Sequence, residues 1–534
     1  MANKQNKHTE DAVRIHALEE KVAEQNAEIA RLQQKLERMN ELLLNAQRAQ
    51  FGQSSEKRKF VLPDAEQLRI FNEAEQVQDV KAEEPTEKTF TVNAHQRKAK
   101  RTVDELTENL PVKEVVYDIP ENDRVCSKCG ASLKQIGKKF VRRELEIIPK
   151  QVNVIEYYTV TYACEECEKE TGYAGIYSVE PPVPLIKHSL ASPSTIANVM
   201  TMKYVDGIPL YRQEQIWKRD GVELHRATLA NWMIQTAQTW LKPLYRRLKA
   251  HLLEQSVIHA DETVVQVLKE EGKSAASESR MWVYASGDYA VEQVRYFEYQ
   301  PDRSGKHPAA LLKNYDGCLV TDGYAGYDKV EKAMRCGCWA HMRRKWREAM
   351  PKGATTATSK AAIGYEYCNK LFALERKFEG YTAVQRKAAR RAYAEPVLDA
   401  YWGWVEKQNP TPGSKLEDAV KYAKNQKQYL NEYMSHGEVD ISNNIAENAI
   451  RPFVIGRKNW LFCDTVRGAE ASAIIYSLVE TAKENELDPY FYLLTLLDEI
   501  RFVGNSPDNA TLDLFLPWSR NMQNAATKWK IHDK

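Results

Sequence analysis

The sequence predicts a multidomain chain of mixed α and β structure, an α+β protein built from several modules, on three observations. The first fifty residues repeat apolar side chains at heptad spacing. Two Cys-x-x-Cys pairs flank a stretch that alternates in the manner of a strand hairpin. From residue 256 onward, short apolar runs follow in the order strand, strand, strand, helix, strand, with an aspartate on the first and another closing the last.

A chain of 534 residues exceeds one ordinary core, and length alone suggests about three or four domains. No apolar run approaches the roughly 18–20 residues that span a bilayer, and the first twenty residues lack the apolar centre of a signal peptide. Membrane association is therefore not expected, and the cytoplasm is the expected compartment. With 76 basic and 74 acidic residues the net charge is only +2, so any nucleic-acid partner must be met by local basic clusters.

Residues 1–50 are read as a coiled coil. Ile15, Val22, Ile29, Leu36 and Leu43 occupy a positions, with Leu18, Leu32 and Met39 at d and Gln25 as the polar break in the seam. β-Branched a positions with leucine at d favour a parallel two-stranded coil, hence a homo-oligomer; an amphipathic helix packed on its own domain is the alternative. Residues 51–115 are charged and poor in large apolar groups, which reads as a flexible linker.

Residues 116–180 form the predicted small β-rich domain. Cys126-x-x-Cys129 and Cys164-x-x-Cys167 can bring four thiolates to the corners of a tetrahedron around one structural zinc ion. Residues 190–254 read as short helices broken at Gly207-Ile208-Pro209 and Asp220-Gly221. That pattern suits a helix-turn-helix that reads DNA, with Arg212, Lys218, Arg219 and Arg226 as phosphate-seeking charges, and it suits equally a helical spacer docked on the next domain.

Residues 255–465 carry the predicted chemistry. Strands are expected over 256–268, 280–285 and 294–299, a helix over 308–314, and a fourth strand ending at Asp322-Gly323. This is the element order of the ribonuclease H-like fold, whose first and fourth strands lie side by side, which would place Asp261 beside Asp322. Asp440-Ile-Ser-Asn-Asn444 supplies helix-capping residues ahead of Glu447. Three converging carboxylates repel one another unless cations intervene, and two Mg²⁺ (or Mn²⁺) ions would make them a phosphoryl-transfer site. Glu262, Asp328, Glu438 and Asp440 compete for the same roles. The long interval between Asp322 and Glu447 reads as a helical insertion over about 350–435, with helices at 376–407 and 416–434, and residues 466–534 as C-terminal helices.

Several longer stretches then resemble one family. These are Phe51-Gly-Gln-Ser-Ser-Glu-Lys57, His259-Ala-Asp-Glu-Thr263, Arg303-Ser-Gly-Lys-His-Pro308, Thr321-Asp-Gly-Tyr-Ala-Gly-Tyr327, Cys338-Trp-Ala-His-Met-Arg-Arg-Lys345, Asn443-Asn-Ile-Ala-Glu447 and Gly456-Arg-Lys-Asn-Trp-Leu-Phe462. Their order and wording resemble the TnpC-type DDE transposases of the insertion sequence 66 family over almost the whole chain. The resemblance implies that Asp261, Asp322 and Glu447 are the catalytic acids, that DNA is the substrate, and that accessory proteins of the same element take part. Asn448 departs from the family pattern, where arginine is expected beside the glutamate. Cys338-x-x-His341, with Cys336 nearby, could suggest a further metal site; the reading preferred from sequence puts His341 against DNA or a carboxylate and packs Cys338. Arg343, Arg344, Lys345 and Arg347, with Arg451, Arg457 and Lys458, are the expected phosphate contacts. A noncatalytic DNA-binding regulator and a nuclease that cuts without joining are the rival functions.

Overall fold

The computed structural model describes residues 175–351, 353–504 and 507–525 continuously, together with 150–164 and scattered earlier positions. Two units divide the chain, one of residues 1–52 and 155–529 and the other of residues 53–154 and 530–534. The predicted coil and linker lie outside the described residues apart from single positions, of which Lys21, Val22 and Gln25 are helical. Of the zinc-binding stretch the structure describes a two-stranded antiparallel pairing, β1 (Thr161–Cys164) with β2 (Gly175–Ser178). The side chains of Cys126, Cys129, Cys164 and Cys167 lie outside what is described.

A mixed sheet organises the large unit. Its strands are β3 (Val257–Lys269), β4 (Glu278–Ser286), β5 (Arg295–Gln300), β6 (Cys318–Thr321) and β7 (Met334–Gly337), in the order β5-β4-β3-β6-β7. β3, β4 and β5 pair antiparallel, whereas β6 lies parallel to β3 and β7 parallel to β6. A short β8 (Cys463–Thr465) adds to the far end of β3. The first and fourth strands of this domain are thus neighbours, in the register Val257↔Cys318 to His259↔Val320.

Because successive strand residues face opposite ways, the sheet feeds two cores. Ile258, Ala260 and Leu319 enter one, while Val257, Cys318 and Val320 enter the other. The first core is filled by α1 (Pro193–Tyr204), α2 (Leu210–Arg219), the long helix α3–α4 (Arg226–Thr236 and Lys242–Leu253), and α12 and α13 (Val466–Glu484 and Pro489–Glu499). A π-helical turn, Ala237–Leu241, joins α3 to α4 just before Pro243, whose missing N–H cannot continue the regular ladder. Leu229, Trp232, Leu241, Leu248 and Leu252 are buried with Ile258, Trp282, Phe297 and Ile475, so the 190–254 segment shares the core of the sheet. Gly221 turns the chain at φ +87 between α2 and α3, and Arg212, Lys218, Arg219 and Arg226 stay exposed.

Edge strand β5 is protected from stray pairing by hydroxyls of α12: Arg295 N–H donates to Thr481 (3.0 Å) and Phe297 N–H to Ser477 (2.8 Å).

The second core belongs to the insertion. After α5 (Lys306–Leu311), β6 and β7 come α6 (Trp339–Ala349), α7 (Lys360–Lys377), α8 (Ala383–Ala389), α9 (Glu395–Glu406) and α10 (Lys415–Glu432). The sequence patterning places one helix at 376–407; the structure instead ends α7 at Lys377, turns at Gly380 (φ +82) and resumes with α8 at Ala383, so α7 itself was missed. The chain then enters α11 (Asn444–Trp460), which crosses to the sheet. Among the described residues no helix is long and apolar enough to cross a membrane.

Candidate active site

Asp261 lies within β3, and Asp322 follows the last residue of the neighbouring β6. His259 and Asp261 share one face of β3 and Glu262 points to the other. Glu262 is consumed there, accepting from Arg303 Nε (2.6 Å) and from the Tyr327 hydroxyl (2.8 Å). Asp328 is likewise taken by Arg335 and Tyr429, and Asp440 by His259 and Arg386. The recorded side-chain hydrogen bonds of Asp261 and Asp322 come from nearby backbone only, Glu262 N–H (2.9 Å) and Tyr324 N–H (2.9 Å). Competing acids are thus separated by their partners, which sequence spacing could not show.

The turn that presents Asp322 is pinned by a residue that sequence reasoning missed. Arg335, buried on β7, donates to Thr321 Oγ1 (3.1 Å) and to the carbonyls of Asp322 (2.8 Å) and Tyr324 (3.1 Å). Gly323 is needed for close approach: a Cβ there would stand 2.7 Å from the Tyr422 ring of α10. Gly323→Ala is therefore expected to cost about 1–3 kcal/mol by overpacking. Chemical denaturation checks this, and unchanged stability would mean that Tyr422 yields freely.

Glu447 sits in the first turn of α11, where the helix dipole favours an anion. The expected cap works differently from the sequence reading. Asn443 is the N-cap residue, but its side chain makes no capping bond; its Nδ2 donates to Ala260 O (2.8 Å) and its Oδ1 meets His259 Nδ1 (3.2 Å). The start of α11 is thereby tied to β3 beside Asp261. His259 is fully buried and its other nitrogen stands 3.3 Å from Asp440.

Burial pushes Asp261 up to about 7, and the charges of Glu262, Asp322 and Glu447 push the same way against the Glu262 N–H bond. The three acids are thus close enough to share a field. His341 and Arg344 complete the surround, with His341 Nδ1 3.6 Å from Glu447 Oε1 and Arg344 Nη2 3.6 Å from Oε2. Burial lowers the His341 pKa, against the opposing pull of Glu447 and Asp322. Cys338 is buried at the N-cap of α6, and burial raises its thiol to about 11 although backbone N–H groups oppose the rise. Cys336, by contrast, is buried on β7 beside Cys318 and away from this group.

The expected phosphate contacts divide. Arg344, Arg347, Arg451 and Lys458 are exposed, and Lys345 lies half-buried with its ammonium 5.8 Å from the Tyr422 ring. Arg343 turns inward instead, donating to the Tyr365 hydroxyl (3.0 Å) and stacking on Tyr365 and Phe372, because its place on α6 faces the insertion helices. Arg457 also turns to the protein, reaching Val264 O and Thr263 on β3. Arg226 is exposed beside Tyr211, remote in sequence from the acids.

Three carboxylates beside a single guanidinium, Arg344, leave hard oxygens that suit a divalent ion. The donors fit, since the buried Glu447 Oε1 has no hydrogen-bond partner, and burial followed by the neighbouring carboxylates raises the Asp261 pKa, a cost that a bound cation would relieve.

Comparison with known protein families gives a consistent answer. The family model described as "Transposase IS66 family" matches residues 188–471, which hold all three acids. The "zinc-finger binding domain of transposase IS66" matches 123–168, spanning all four cysteines of the two Cys-x-x-Cys pairs. "Transposase C of IS166 homeodomain" matches 38–115, running across the end of the predicted coil and the charged stretch, and "IS66 C-terminal element" matches 477–518. Among individual proteins, the uncharacterized protein y4jD of Sinorhizobium fredii (strain NBRC 101917 / NGR234) is 29% identical over 437 residues, 79% of this chain and 82% of its own. The uncharacterized protein y4qI of the same organism is 28% identical over 527 residues, 94% of each chain. The zinc-finger match implies zinc binding, and the transposase match implies DNA as partner and the use of a divalent metal. With its main family model covering more than half of its length and three companion models in sequence order, the chain belongs to the IS66 family of transposases.

Proposed function

We propose that this chain cuts the ends of an insertion sequence and joins them to target DNA, using Asp261, Asp322 and Glu447 as ligands of two Mg²⁺ or Mn²⁺ ions in a ribonuclease H-like core. One observation carries the reading. Where Glu262, Asp328 and Asp440 are spent on cation or hydroxyl partners, Asp261 and Asp322 accept from nearby backbone N–H groups, and Asp261 shares a field with Asp322 and Glu447. The sheet order β5-β4-β3-β6-β7, with β6 parallel to β3, supports the fold assignment.

Bound divalent ions would neutralise the acids and stabilise charge on the attacking and leaving oxygens. In the first reaction a water oxygen bonds to phosphorus and the P–O3′ bond breaks, leaving a 3′-hydroxyl on the element. In the second, that hydroxyl bonds to a target phosphorus and expels the target strand's own 3′-oxygen, which takes a proton. The chain's own residues orient these partners. Arg335 fixes the Asp322 turn, Asn443 fixes α11 against β3, and Arg344, Lys345, Arg451 and Lys458 offer charge to the phosphate backbone. Pairing of two ends would come from the N-terminal coil, and accessory proteins of the element would complete the assembly.

Labelled element ends incubated with the protein, target DNA and Mg²⁺ test the proposal. Cut and joined products are expected, with Asp322→Asn and Glu447→Gln each lowering strand transfer more than about a hundredfold. Binding without cleavage would leave a regulator, and cleavage without joining a nuclease. Full activity in both variants would remove the assignment of the acids.

A further inference from the structure

Cys338, His341 and Glu447 bring one sulfur, one ring nitrogen and one carboxylate oxygen within 4.8 Å of one another. The third member was illegible in the sequence, where Cys338-x-x-His341 lacked a partner once Cys336 was discounted. It arrives on α11, whose first turn is pinned beside β3.

Three features of this cluster call for a cation. His341 Nδ1 and Glu447 Oε1 are both buried, stand 3.6 Å apart, and neither has a hydrogen-bond partner. Their separation matches the edge of a tetrahedron, since donors at about 2.0–2.3 Å from an ion lie roughly 3.3–3.7 Å apart. The Cys338 sulfur accepts the Asn443 N–H (3.1 Å) and backbone N–H groups of Ala340 and His341. These N–H groups partly offset the burial that disfavours a charged sulfur, and a bound cation would supply the rest of what a ligating thiolate needs.

We infer that Cys338, His341 and Glu447 form a site for a borderline-soft divalent cation, zinc above all, separate in chemistry from the aspartate pair. Thiolate and imidazole select against Mg²⁺, whereas Asp261 and Asp322 offer it hard oxygens. Glu447 has two oxygens and can serve both sites. An ion here ties the N-terminus of α6 to the first turn of α11, and so holds the carboxylate that the aspartates need. With three protein donors the fourth position is left for water or a phosphate oxygen; the His341 and Glu447 side chains, 22% and 26% exposed, leave one side of the site open. The inference shares Glu447 with the phosphoryl-transfer reading and otherwise stands apart from it.

The test is zinc content, measured by elemental mass spectrometry on the full chain purified with zinc and freed of loose metal. The Cys126, Cys129, Cys164 and Cys167 module supplies one reference equivalent. Wild type is expected to hold a second, which Cys338→Ser and His341→Ala each lose, while Cys368→Ser, at a buried cysteine of α7, keeps it. His341 is partly exposed, so its alanine variant is expected to fold even if the buried Cys338 change perturbs the core. Cobalt substitution gives a second readout: the thiolate-to-metal absorption of the wild type should exceed that of Cys338→Ser by the contribution of one sulfur. Wild-type zinc content in Cys338→Ser or His341→Ala would overturn the inference. So would loss of the second equivalent in Asp261→Asn, because the ion would then belong to the aspartates. Absent strand transfer with the zinc count intact would count against the proposed activity alone.

Discussion

An Asp261→Asn protein is expected to lose strand transfer by more than about a hundredfold and yet, stripped of divalent ions, to be more stable than the wild type. Burial is the main reason, with Glu262, Asp322 and Glu447 adding repulsion, so that the Asp261 carboxyl rises from 3.8 to about 7. In the window between those values the folded chain holds a proton that the unfolded chain has released. The metal-free protein therefore loses stability as pH rises from about 4 to about 7, and the loss levels off above. Asparagine carries no such charge. Its advantage should grow across the window to at most about 4 kcal/mol. Denaturant melts of both proteins in chelator at pH values near 5 and 8 measure it. Adding Mg²⁺ should narrow the gap, because ions that bind only the folded wild type stabilise it by mass action. A difference between the proteins that ignores pH would mean that Asp261 is already ionised and solvated.

How much of this was visible in the sequence depends on the range of the interaction. Four strands of the sheet were legible because alternation and short apolar runs are local signals, and the predicted strands at 256–268 and 294–299 fall within one or two residues of β3 and β5, whereas β7 and β8, four and three residues long, were missed. The places of Asp261 and Asp322 in the sheet were legible for the same reason, one inside a strand and one at the end of another, while their proposed role came from the family resemblance. What failed was the assignment of partners. Asn443 looks like a helix cap, but its side chain is drawn to Ala260 and His259. Arg343 and Arg457 look like phosphate contacts in a basic run, but tertiary packing turns one onto Tyr365 and the other onto β3. Arg335 gave no signal at all, since an arginine on a short strand is silent until the turn it pins is folded beside it. Glu447 could be picked as an acid on a helix, but nothing in its neighbourhood in sequence announces Cys338 and His341.

The same long-range logic makes Arg390 the residue whose loss should most damage the fold without touching DNA or metal. It is fully buried where α8 passes through a π-helical turn into α9. Its guanidinium makes two bonds to Glu375 (2.8 and 2.7 Å) and donates to the carbonyls of Tyr433 (2.7 Å), His436 (2.8 Å) and Val439 (2.8 Å). Those carbonyls belong to the segment leading from α10 into α11, just before Asp440. Arg386 extends the chain of charge from Glu375 (3.0 Å) to Asp440 (3.1 Å), and Asp440 reaches His259 on β3. Burial alone would raise the Asp440 pKa, but the hydrogen bonds and charges of His259 and Arg386 hold it below the usual range. Arg390→Ala leaves Glu375 with Arg386 and strands the buried carbonyls of Tyr433 and Val439, while His436 keeps its bond from Val439 N–H (3.3 Å). Breaking one side of a buried pair in this way is expected to cost about 3–5 kcal/mol. Lysine should recover only part, because one ammonium cannot reproduce five donors set in a plane. Strand transfer should fall with stability in Arg390→Ala, since the path that positions Glu447 runs through these carbonyls, while the zinc held by the four-cysteine module should stay. A variant that melts within about 1 kcal/mol of wild type would show that the segment before α11 is held by its apolar contacts, Val439 and Ile441 in the insertion core, and not by this arginine.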